Sequence, residues 1–251
     1  MSYSRKRLYV IIPAAGSGTR MGTGKNKLLM DVGGMSVIDR TVAAFKEFAF
    51  ENYIDLYGVL TVPVGALDEW VSYTEGKEDY SFITSIVEGG SSRTESVSHG
   101  IDALAGFEKE EAPRADSPVF IHDAARCLID TKTLYRCYNA ICEEDCFVCV
   151  AGVKAKNTIK MVYDAPAGSD VIVQSTPDRN LLYEVQTPQC FKFGCLYDCY
   201  EKAQEEGLEA TDDTALAEHF GFPVKIIEGA YSNIKITTPE DILVAQALLG
   251  S

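Results

Sequence analysis

The stretch LYVIIPAAGSGTRMGTGKNK, residues 8–27, joins a short apolar run to a glycine-rich loop. The run LYVII (8–12) is rich in β-branched residues, which is typical of a buried strand. The small residues that follow let backbone approach a phosphate group without large side chains in the way. A strand that leads into such a loop is the usual setting of a nucleotide site. The sequence therefore predicts a phosphate-binding loop at residues 13–27.

This loop matches neither of the two best-known phosphate motifs. A Rossmann fingerprint needs a third glycine where Met21 stands, and a P-loop needs Ser or Thr where Asn26 follows Lys25. Two cations, Arg20 and Lys27, could stabilise charge on a phosphorus atom during transfer. The alternative is a surface loop with two solvated cations.

The composition excludes several classes of protein. The chain has 251 residues, 46% of them hydrophobic, and a net charge of −14. Such an acidic protein is poorly suited to nucleic acid or a membrane surface, so neither is expected as a partner. No apolar stretch approaches the ~20 residues of a membrane span. We expect a cytoplasmic protein.

The eight cysteines pose a separate question. Cys146-x-x-Cys149 could be half of a zinc or redox motif, but the segment 147–153 has the pattern of a buried strand and no second pair follows. Cys195 and Cys199 are four apart on a predicted helix. We interpret the cysteines as reduced, structural thiols in a reducing compartment.

Strand-like and helix-like segments alternate along the chain, which predicts an α/β fold with a mostly parallel twisted sheet flanked by helices. Ligands in such folds bind at the carboxyl ends of the strands. Strands are predicted at 8–12, 54–62, 82–90, 118–126, 147–153, 181–191, 223–229 and 233–237, and helices at 36–48, 66–73, 91–104, 131–145, 195–207, 210–221 and 237–249.

Residues 154–180 interrupt this pattern. They alternate in hydrophobicity around the turn APAGS (165–169), which indicates a two-stranded β-arm that projects from the sheet. A lone hairpin is marginally stable, so we expect the arm to pack on a second copy of the chain. A mobile surface hairpin is the alternative. The simplest organisation is one domain, residues 1–251, with an arm.

Two further segments follow predicted strands. In HDAAR (122–126), Asp123 suits a magnesium site, although it could instead cap a turn. Arg126 could hold an anionic second substrate, and His122 is interpreted as structural. In GGSSRTES (89–96), Gly90 would let backbone approach a planar base and Ser96 offers a hydroxyl for its edge. Alternatively, this segment is a glycine-rich turn with serine capping.

Seven short strings occur in order over nearly the whole chain: P-A-A-G-x-G-x-R-M with Lys27, G-G-S-x-R-x-x-S-V, H-D-A-A-R, N-T-I-K, V-Q-T-P-Q, T-D-D and N-I-K-I-T-x-P-E-D. Together they resemble the 2-C-methyl-D-erythritol 4-phosphate cytidylyltransferases of the non-mevalonate isoprenoid pathway. The resemblance implies a Rossmann-like nucleotidyltransferase fold, a homodimer formed through the arm, and CTP bound with Mg²⁺ or another divalent cation.

The resemblance also implies a role for individual positions. Arg20 and Lys27 would stabilise the α-phosphate as catalytic residues, and Asp123 would also hold the metal. Nucleotide-binding positions are Pro13, Ala14, Ala15, Gly16, Ser17, Gly18, Gly90, Arg93, Ser96, Asp123 and Ala124. Positions for methylerythritol phosphate are Arg126, Lys156, Thr187, Thr211 and Lys235, with Lys156 on the arm reaching the partner subunit's site.

Four positions depart from the family pattern. Asn26 replaces a proline, Lys156 an arginine, and Ser91 and Ser232 acidic residues. Lysine keeps the charge of arginine but loses its fork, which weakens a grip on phosphate.

Three rival functions remain at this stage. A ribitol 5-phosphate cytidylyltransferase shares the chemistry. An NAD-dependent oxidoreductase is disfavoured by Met21, and a non-catalytic dimeric scaffold by the set Arg20, Lys27 and Asp123.

Overall fold

The computed structural model describes residues 6–16, 26–166 and 168–250. The strands in these ranges are β1 (Lys6–Pro13), β2 (Asp31–Val32), β3 (Met35–Ser36), β4 (Ile54–Val62), β5 (Ile83–Glu88), β6 (Pro118–Ile121), β7 (Val148–Lys154), β8 (Met161–Val162), β9 (Val173–Ser175), β10 (Tyr183–Lys192) and β11 (Val224–Glu228). The α-helices are α1 (Val37–Glu51), α2 (Leu67–Thr74), α3 (Arg93–Ala105), α4 (Thr131–Ile141), α5 (Phe193–Glu206), α6 (Asp213–His219) and α7 (Pro239–Leu249).

Seven of the described strands form one sheet in the order β11-β7-β10-β6-β1-β4-β5. Strand β1 pairs in parallel with β4 and β6, β4 with β5, and β7 with β11. Strand β10 is antiparallel to both of its neighbours, β6 and β7. The prediction of a mostly parallel sheet flanked by helices is confirmed.

The central strand β1 shows why the chain folds in this way. Residues 8–12 are all fully buried, because helices cover both faces of the sheet. Leu8, Val10 and Ile12 pack into a core with residues of α1 and α4. Tyr9 and Ile11 pack into a second core with residues of α3 and α5.

The helices begin where the sequence places polar caps. Ser92 accepts a hydrogen bond from the Glu95 backbone N–H at the start of α3, and Asp130 caps α4 in the same way. Helix α7 begins with a capping box between Thr238 and Asp241. No helix in the described part of the chain is long and apolar enough to cross a membrane.

The predicted strand at 233–237 is wrong, since these residues, all of them described, form a loop without a strand partner. Their backbone groups are satisfied in other ways. Ile236 N–H donates to Ala125 O at 2.8 Å, and the Asn233 carbonyl accepts from Arg126 Nη1 at 2.7 Å. The alternation of polar and apolar residues, which predicted the strand, instead buries Ile236.

The β-arm is present as an antiparallel pair of β8 and β9. Its large apolar side chains are exposed, and Ile172 is 73% exposed. These exposed side chains are Ile159, Met161, Val162, Tyr163, Val171, Ile172 and Val173.

All eight cysteines lie within the described residues and none forms a disulfide. Cys142 is exposed and the other seven are buried. In the same residues, no group of His, Cys, Asp and Glu side chains is arranged to hold a metal ion. The Cys146-x-x-Cys149 segment thus has no second half of a metal site here.

Helix α3 packs so closely on the sheet that there is no room for a side chain at Gly100. A Cβ atom at Gly100 would lie 2.6 Å from Cγ2 of Ile11, inside van der Waals contact. We expect Gly100→Val to lower the free energy of unfolding by about 1–3 kcal/mol, because the core would be overpacked. Urea denaturation measures this change. Gly106→Ala is the control, since a Cβ there would be 3.5 Å from its nearest neighbour, Asp102 O. Equal stability of both variants would contradict the packing argument.

Candidate active site

A cleft of about 570 Å³ lies at the carboxyl ends of β1, β4, β5 and β6. The loops that follow these four parallel strands meet at one edge of the sheet, as the sequence predicted. The cleft is lined by Pro13, Ala14, Ala15, Gly16, Lys27, Leu28, Pro63, Val64, Gly90, Ser91, Ser92, Arg93, Ser96, Asp123, Ala124, Ala125, Lys235 and Thr237.

The loop after β1 is fastened to its neighbours at its first residues. Ala14 is buried, and its backbone N–H donates to Thr61 O at 2.7 Å. A Cβ atom at Gly89 would lie 2.6 Å from both Ala15 Cβ and Ser96 Oγ. Gly89 therefore allows the turn after β5 to approach the loop after β1. The sequence analysis gave weight to Gly90 and missed this role of its neighbour.

Gly90 and Ser96 form the turn that opens α3. The Gly90 N–H donates to Ser96 Oγ at 3.0 Å, and Ser96 Oγ donates to Ser92 O at 2.8 Å. Glu95 also reaches back and accepts from the Ser91 hydroxyl at 2.7 Å. The Ser96 hydroxyl thus holds the turn together as well as lining the cleft.

The Asp123 carboxylate in the cleft is surrounded by three cations. Lys235 Nζ lies 2.7 Å from Asp123 Oδ2, and Arg93 Nε lies 3.4 Å from Oδ1. Arg126 Nε is 3.9 Å from Oδ2. Burial alone would raise the pKa of Asp123, but these three cations, with Lys235 the strongest, hold that pKa well below its usual range. Asp123 is therefore ionised at neutral pH.

The donor set is compatible with a divalent cation that arrives with a phosphate ligand. An ionised carboxylate oxygen is the ligand type that Mg²⁺ prefers, and Mg²⁺ commonly takes one or two carboxylates together with phosphate oxygens and water. Asp123 supplies one such group. No cluster of three or more metal-ligating side chains occurs among the described residues, so the remaining ligands would have to come from substrate and water.

Lys27 points at the loop that carries Lys235. Its Nζ donates to Ile236 O at 3.0 Å, and it lines the cleft. Asn26 caps the short 3₁₀ turn Lys27–Leu29 by accepting from the Leu28 N–H. The φ of Asn26 is −64°, the value that a proline would impose. This departure from the family pattern therefore keeps the backbone direction that places Lys27.

Arg20 falls outside the described residues, and so do Ser17, Gly18 and Lys25. The roles predicted for Arg20, Ser17 and Gly18 stay predictions. The described part of the loop contributes its backbone at residues 13–16 and one cation, Lys27.

His122 and Thr187 support the Asp123 loop from below. Thr187 Oγ1 accepts from the Asp123 N–H at 3.1 Å and lies 3.0 Å from His122 Nδ1. The other ring nitrogen lies 3.2 Å from Arg126 O. Thr187 Oγ–H therefore donates to Nδ1, and Nε2–H donates to Arg126 O. Burial lowers the pKa of His122 from 6.5 to about 4, so the ring is neutral. This geometry agrees with its interpretation as structural.

Arg126 lies beside the cleft and keeps one donor unused. Its Nη1 donates to Asn233 O, but its buried Nε has no hydrogen-bond partner. Asn233 is itself fully buried and donates to Thr187 O at 2.8 Å. The nearest charged group to this Nε is the Asp123 carboxylate, whose Oδ2 lies 3.9 Å away.

The structure brings most of the predicted nucleotide positions together and fewer of the second-substrate positions. Lys235 lines the cleft, whereas Thr187 lies beneath it and Thr211 is exposed. Lys156 Nζ sits 3.5 Å from the centroid of the Tyr231 ring, at the base of the arm. Lys156 and Thr211 do not line the cleft of their own chain.

Sequence reasoning missed a second carboxylate behind the cleft. Asp213 is 1% exposed and holds Arg93 through two bonds of 2.7 Å, with a third from Tyr200. It belongs to the T-D-D string, so its position was visible in the sequence, but nothing there showed that it meets a residue 120 positions away.

Comparisons with known proteins all identify the same enzyme family. The family model described as 2-C-methyl-D-erythritol 4-phosphate cytidylyltransferase matches residues 8–251. The enzyme of that name from Trichormus variabilis is 38% identical over 247 residues, covering 97% of this chain and 98% of its own. That from Trichodesmium erythraeum is 39% identical over 240 residues, covering 96% and 97%. The crystal structure of 4-diphosphocytidyl-2C-methyl-D-erythritol synthase from Anaerococcus prevotii has a TM-score of 0.77 at 30% identity, covering 98% and 97%.

The neutral state of His122 predicts a pH dependence of stability. In the unfolded chain histidine takes up a proton as the pH falls through 6.5, while in the folded protein it resists protonation down to about 4. The contribution of neutral His122 to the free energy of unfolding is thus fully present above pH 6.5 and is lost as the pH falls toward 4. The loss should be about 3 kcal/mol.

Urea denaturation at pH 7 and pH 4.5 measures this loss in wild type and in His122→Gln. The carboxylates are common to both proteins, so the difference between their pH slopes isolates His122. Wild type should lose about 2–3 kcal/mol more than the variant. Parallel slopes would contradict a buried, neutral histidine.

Proposed function

Because the chain belongs to the 2-C-methyl-D-erythritol 4-phosphate cytidylyltransferase family, we propose that the cleft around Asp123 is its active site. The chain is a nucleotidyltransferase. It transfers a cytidylyl group from CTP to 2-C-methyl-D-erythritol 4-phosphate, which gives 4-diphosphocytidyl-2-C-methyl-D-erythritol and pyrophosphate in the non-mevalonate pathway. The observation that carries the site assignment is the meeting of three cations and the loop after β1 around one ionised carboxylate.

CTP binds, in this proposal, across the carboxyl end of β1. The small residues 13–16 offer backbone to the triphosphate, and the turn at Gly90 and Ser96 borders the base. Asp123 and Ala124 line the same cleft, and Asp123 lies 3.4 Å from Nε of Arg93 at the start of α3, so we assign the ribose to them. A cleft of about 570 Å³ is of the size that small-molecule sites have.

Asp123 would also hold Mg²⁺, or another divalent cation, that binds with CTP. Such a cation, when bound, supplies positive charge beside the phosphate oxygens. The support for this assignment is the depressed pKa of Asp123, which burial alone would raise but which Lys235, Arg93 and Arg126 lower.

The chemical step is an in-line attack by a phosphate oxygen of methylerythritol phosphate on the α-phosphorus of CTP. A phosphate nucleophile is already ionised near neutral pH, so no general base is required. His122 is not suited to be one, because both of its ring nitrogens are occupied. Catalysis then depends on alignment and on positive charge from Lys27 and Arg20.

The second substrate has a phosphate that needs cations of its own. We assign Arg126 and Lys235 to it, since both are cations that pair with Asp123 at the same end of the cleft. Thr187 supports that end through its bond to the Asp123 N–H. Thr211 and Lys156 are retained as contacts to this substrate, with Lys156 acting in the partner subunit's site.

The β-arm, within residues 154–180 of a single domain, is proposed to form a homodimer. Its exposed apolar side chains support this, because monomers rarely display such a patch. Lys156 lies at the base of the arm and does not line its own cleft, which supports a role for it in the partner subunit's cleft. The eight cysteines without disulfides support work in a reducing cytoplasm.

A substrate panel tests the function. Purified protein with Mg²⁺ and CTP should release pyrophosphate with methylerythritol phosphate and far less with ribitol 5-phosphate. Lys27→Ala should lower kcat by roughly 10²–10³, the usual effect of removing one group that stabilises a transition state. Lys225→Ala, which removes a surface lysine paired with Glu143, is the control and should keep full turnover. Near-normal turnover of Lys27→Ala would refute the catalytic assignment.

Two single substitutions test the arm. Ile172 directly precedes β9 and Val173 begins it, and neighbouring residues of extended backbone face opposite sides, so Ile172→Glu and Val173→Glu place a charge on each face. One of them should weaken the dimer about tenfold or more, because a buried unpaired charge is costly at an interface. Light scattering over a concentration series measures this. Phe50→Glu, at an exposed apolar residue outside the arm, is the control. A wild-type protein that is monomeric at all concentrations would refute the proposed dimer.

A further inference from the structure

Asp213 is a buried carboxylate that lies behind the cleft. It is 1% exposed and does not line the cleft. Arg93 Nη1 donates to its Oδ1 and Arg93 Nη2 to its Oδ2, both at 2.7 Å. Tyr200 OH adds a third bond, to Oδ1 at 2.5 Å. Both carboxylate oxygens are thus fully engaged with the protein.

The position of Asp213 is fixed from three directions. It is the first residue of α6, and its backbone N–H donates to Gln189 Oε1 at 2.7 Å. Gln189 lies on β10, and Tyr200 comes from α5, where it is buried in the core. The carboxylate therefore has little freedom to move.

This arrangement decides how Arg93 faces the cleft. Because both of its Nη atoms are turned toward Asp213, only Nε is directed at Asp123, at 3.4 Å. Burial alone would lower the pKa of Arg93, but the charge of Asp213 raises it well above the usual value. The guanidinium is thus permanently charged and edge-on to Asp123.

A charged guanidinium fork without Asp213 would have another carboxylate close at hand. Asp123 already contacts Nε, and a two-bond pairing of arginine with a carboxylate is stronger than a single bond. Rotated onto Asp123, the fork would occupy both oxygens. Asp123 would then be closed to other ligands.

We propose that Asp213 is a positioning residue that holds the Arg93 fork away from Asp123, so that the fork does not compete with Lys235 and with the ligands of CTP binding for the Asp123 oxygens. This inference rests on the proposed function of the cleft. A buried ion pair is a weak source of stability, since removing its charges together is often neutral or stabilising. The pair of Asp213 and Arg93 is therefore explained better by a role in orienting Arg93 than by a contribution to stability.

The key comparison is between Asp213→Asn and the double variant Asp213→Asn/Arg93→Lys, in which lysine keeps the positive charge but has no fork. The single variant releases the fork, so kcat/KM for CTP should fall roughly 10–100-fold and the Kd of CTP with Mg²⁺, measured by calorimetry, should rise in parallel. The KM for methylerythritol phosphate should stay within about twofold. Because lysine cannot form the two-bond pairing with Asp123, the double variant should regain at least about fivefold of the CTP affinity lost in Asp213→Asn.

Asp212→Asn is the matched control. Asp212 caps α6 by accepting from the Ala215 N–H at 2.8 Å, and asparagine caps a helix equally well. This change removes one negative charge at the neighbouring residue without touching Arg93. Its CTP affinity should equal that of wild type.

Two results would overturn the inference. One is a double variant that binds CTP no better than Asp213→Asn, which would show that Asp213 merely ties α6 to α3. The other is wild-type affinity in Asp213→Asn. If Asp213→Asn fails to fold, Tyr200→Phe removes one of the three bonds and buries no new group. A two- to fivefold rise in the Kd of CTP is expected there, and an unchanged Kd refutes the inference.

The same measurements separate this inference from the proposed function. A wild-type protein that neither binds CTP nor releases pyrophosphate would refute the function. A wild type that does both, with no rescue in the double variant, would refute the role of Asp213 alone.

Discussion

The site is organised by a single ionised carboxylate, Asp123, and the three cations that surround it. Arg93 comes from the start of α3, Arg126 from the turn after β6, and Lys235 from the loop before α7. These segments are far apart in the chain, and they are brought together where the parallel strands end. Each cation is held close because a buried negative charge cannot remain unpaired. The geometry of the cleft depends on this balance of charge.

The antiparallel strand β10 supplies the polar support for that balance. Gln186, Thr187 and Gln189 on this strand are polar but buried, whereas an ordinary core strand buries apolar residues. Gln186 bonds Ala230 O, Thr187 bonds the Asp123 N–H, and Gln189 bonds the first N–H of α6. One strand therefore fixes three separate loops of the site. Every one of these groups is buried and satisfied, which makes such networks rigid.

The alternation of strands and helices was readable from the sequence, because each element repeats its own hydrophobic period. The meeting of motifs at the strand ends followed from the same pattern. The same pattern gave a wrong prediction at 233–237. An alternating segment can also form a loop that buries Ile236, while the side chains of Arg126 and Lys27 satisfy its backbone carbonyls. The roles of Gly89 and Asp213 depend on neighbours distant in sequence, and no local pattern shows which distant residue a side chain will meet.

The bond from Lys27 to Ile236 O has a consequence for how any variant at this position is understood. The Lys27 ammonium group lines the cleft and also donates to a backbone carbonyl of the loop that carries Lys235, a loop without a strand partner. In the proposed function its charge serves both the chemical step and the folding of this neighbouring segment. Effects of residues that share partners do not add simply. A kinetic loss measured at Lys27 would therefore combine lost charge in the cleft with a displaced loop, and these two contributions could not be separated by simple subtraction.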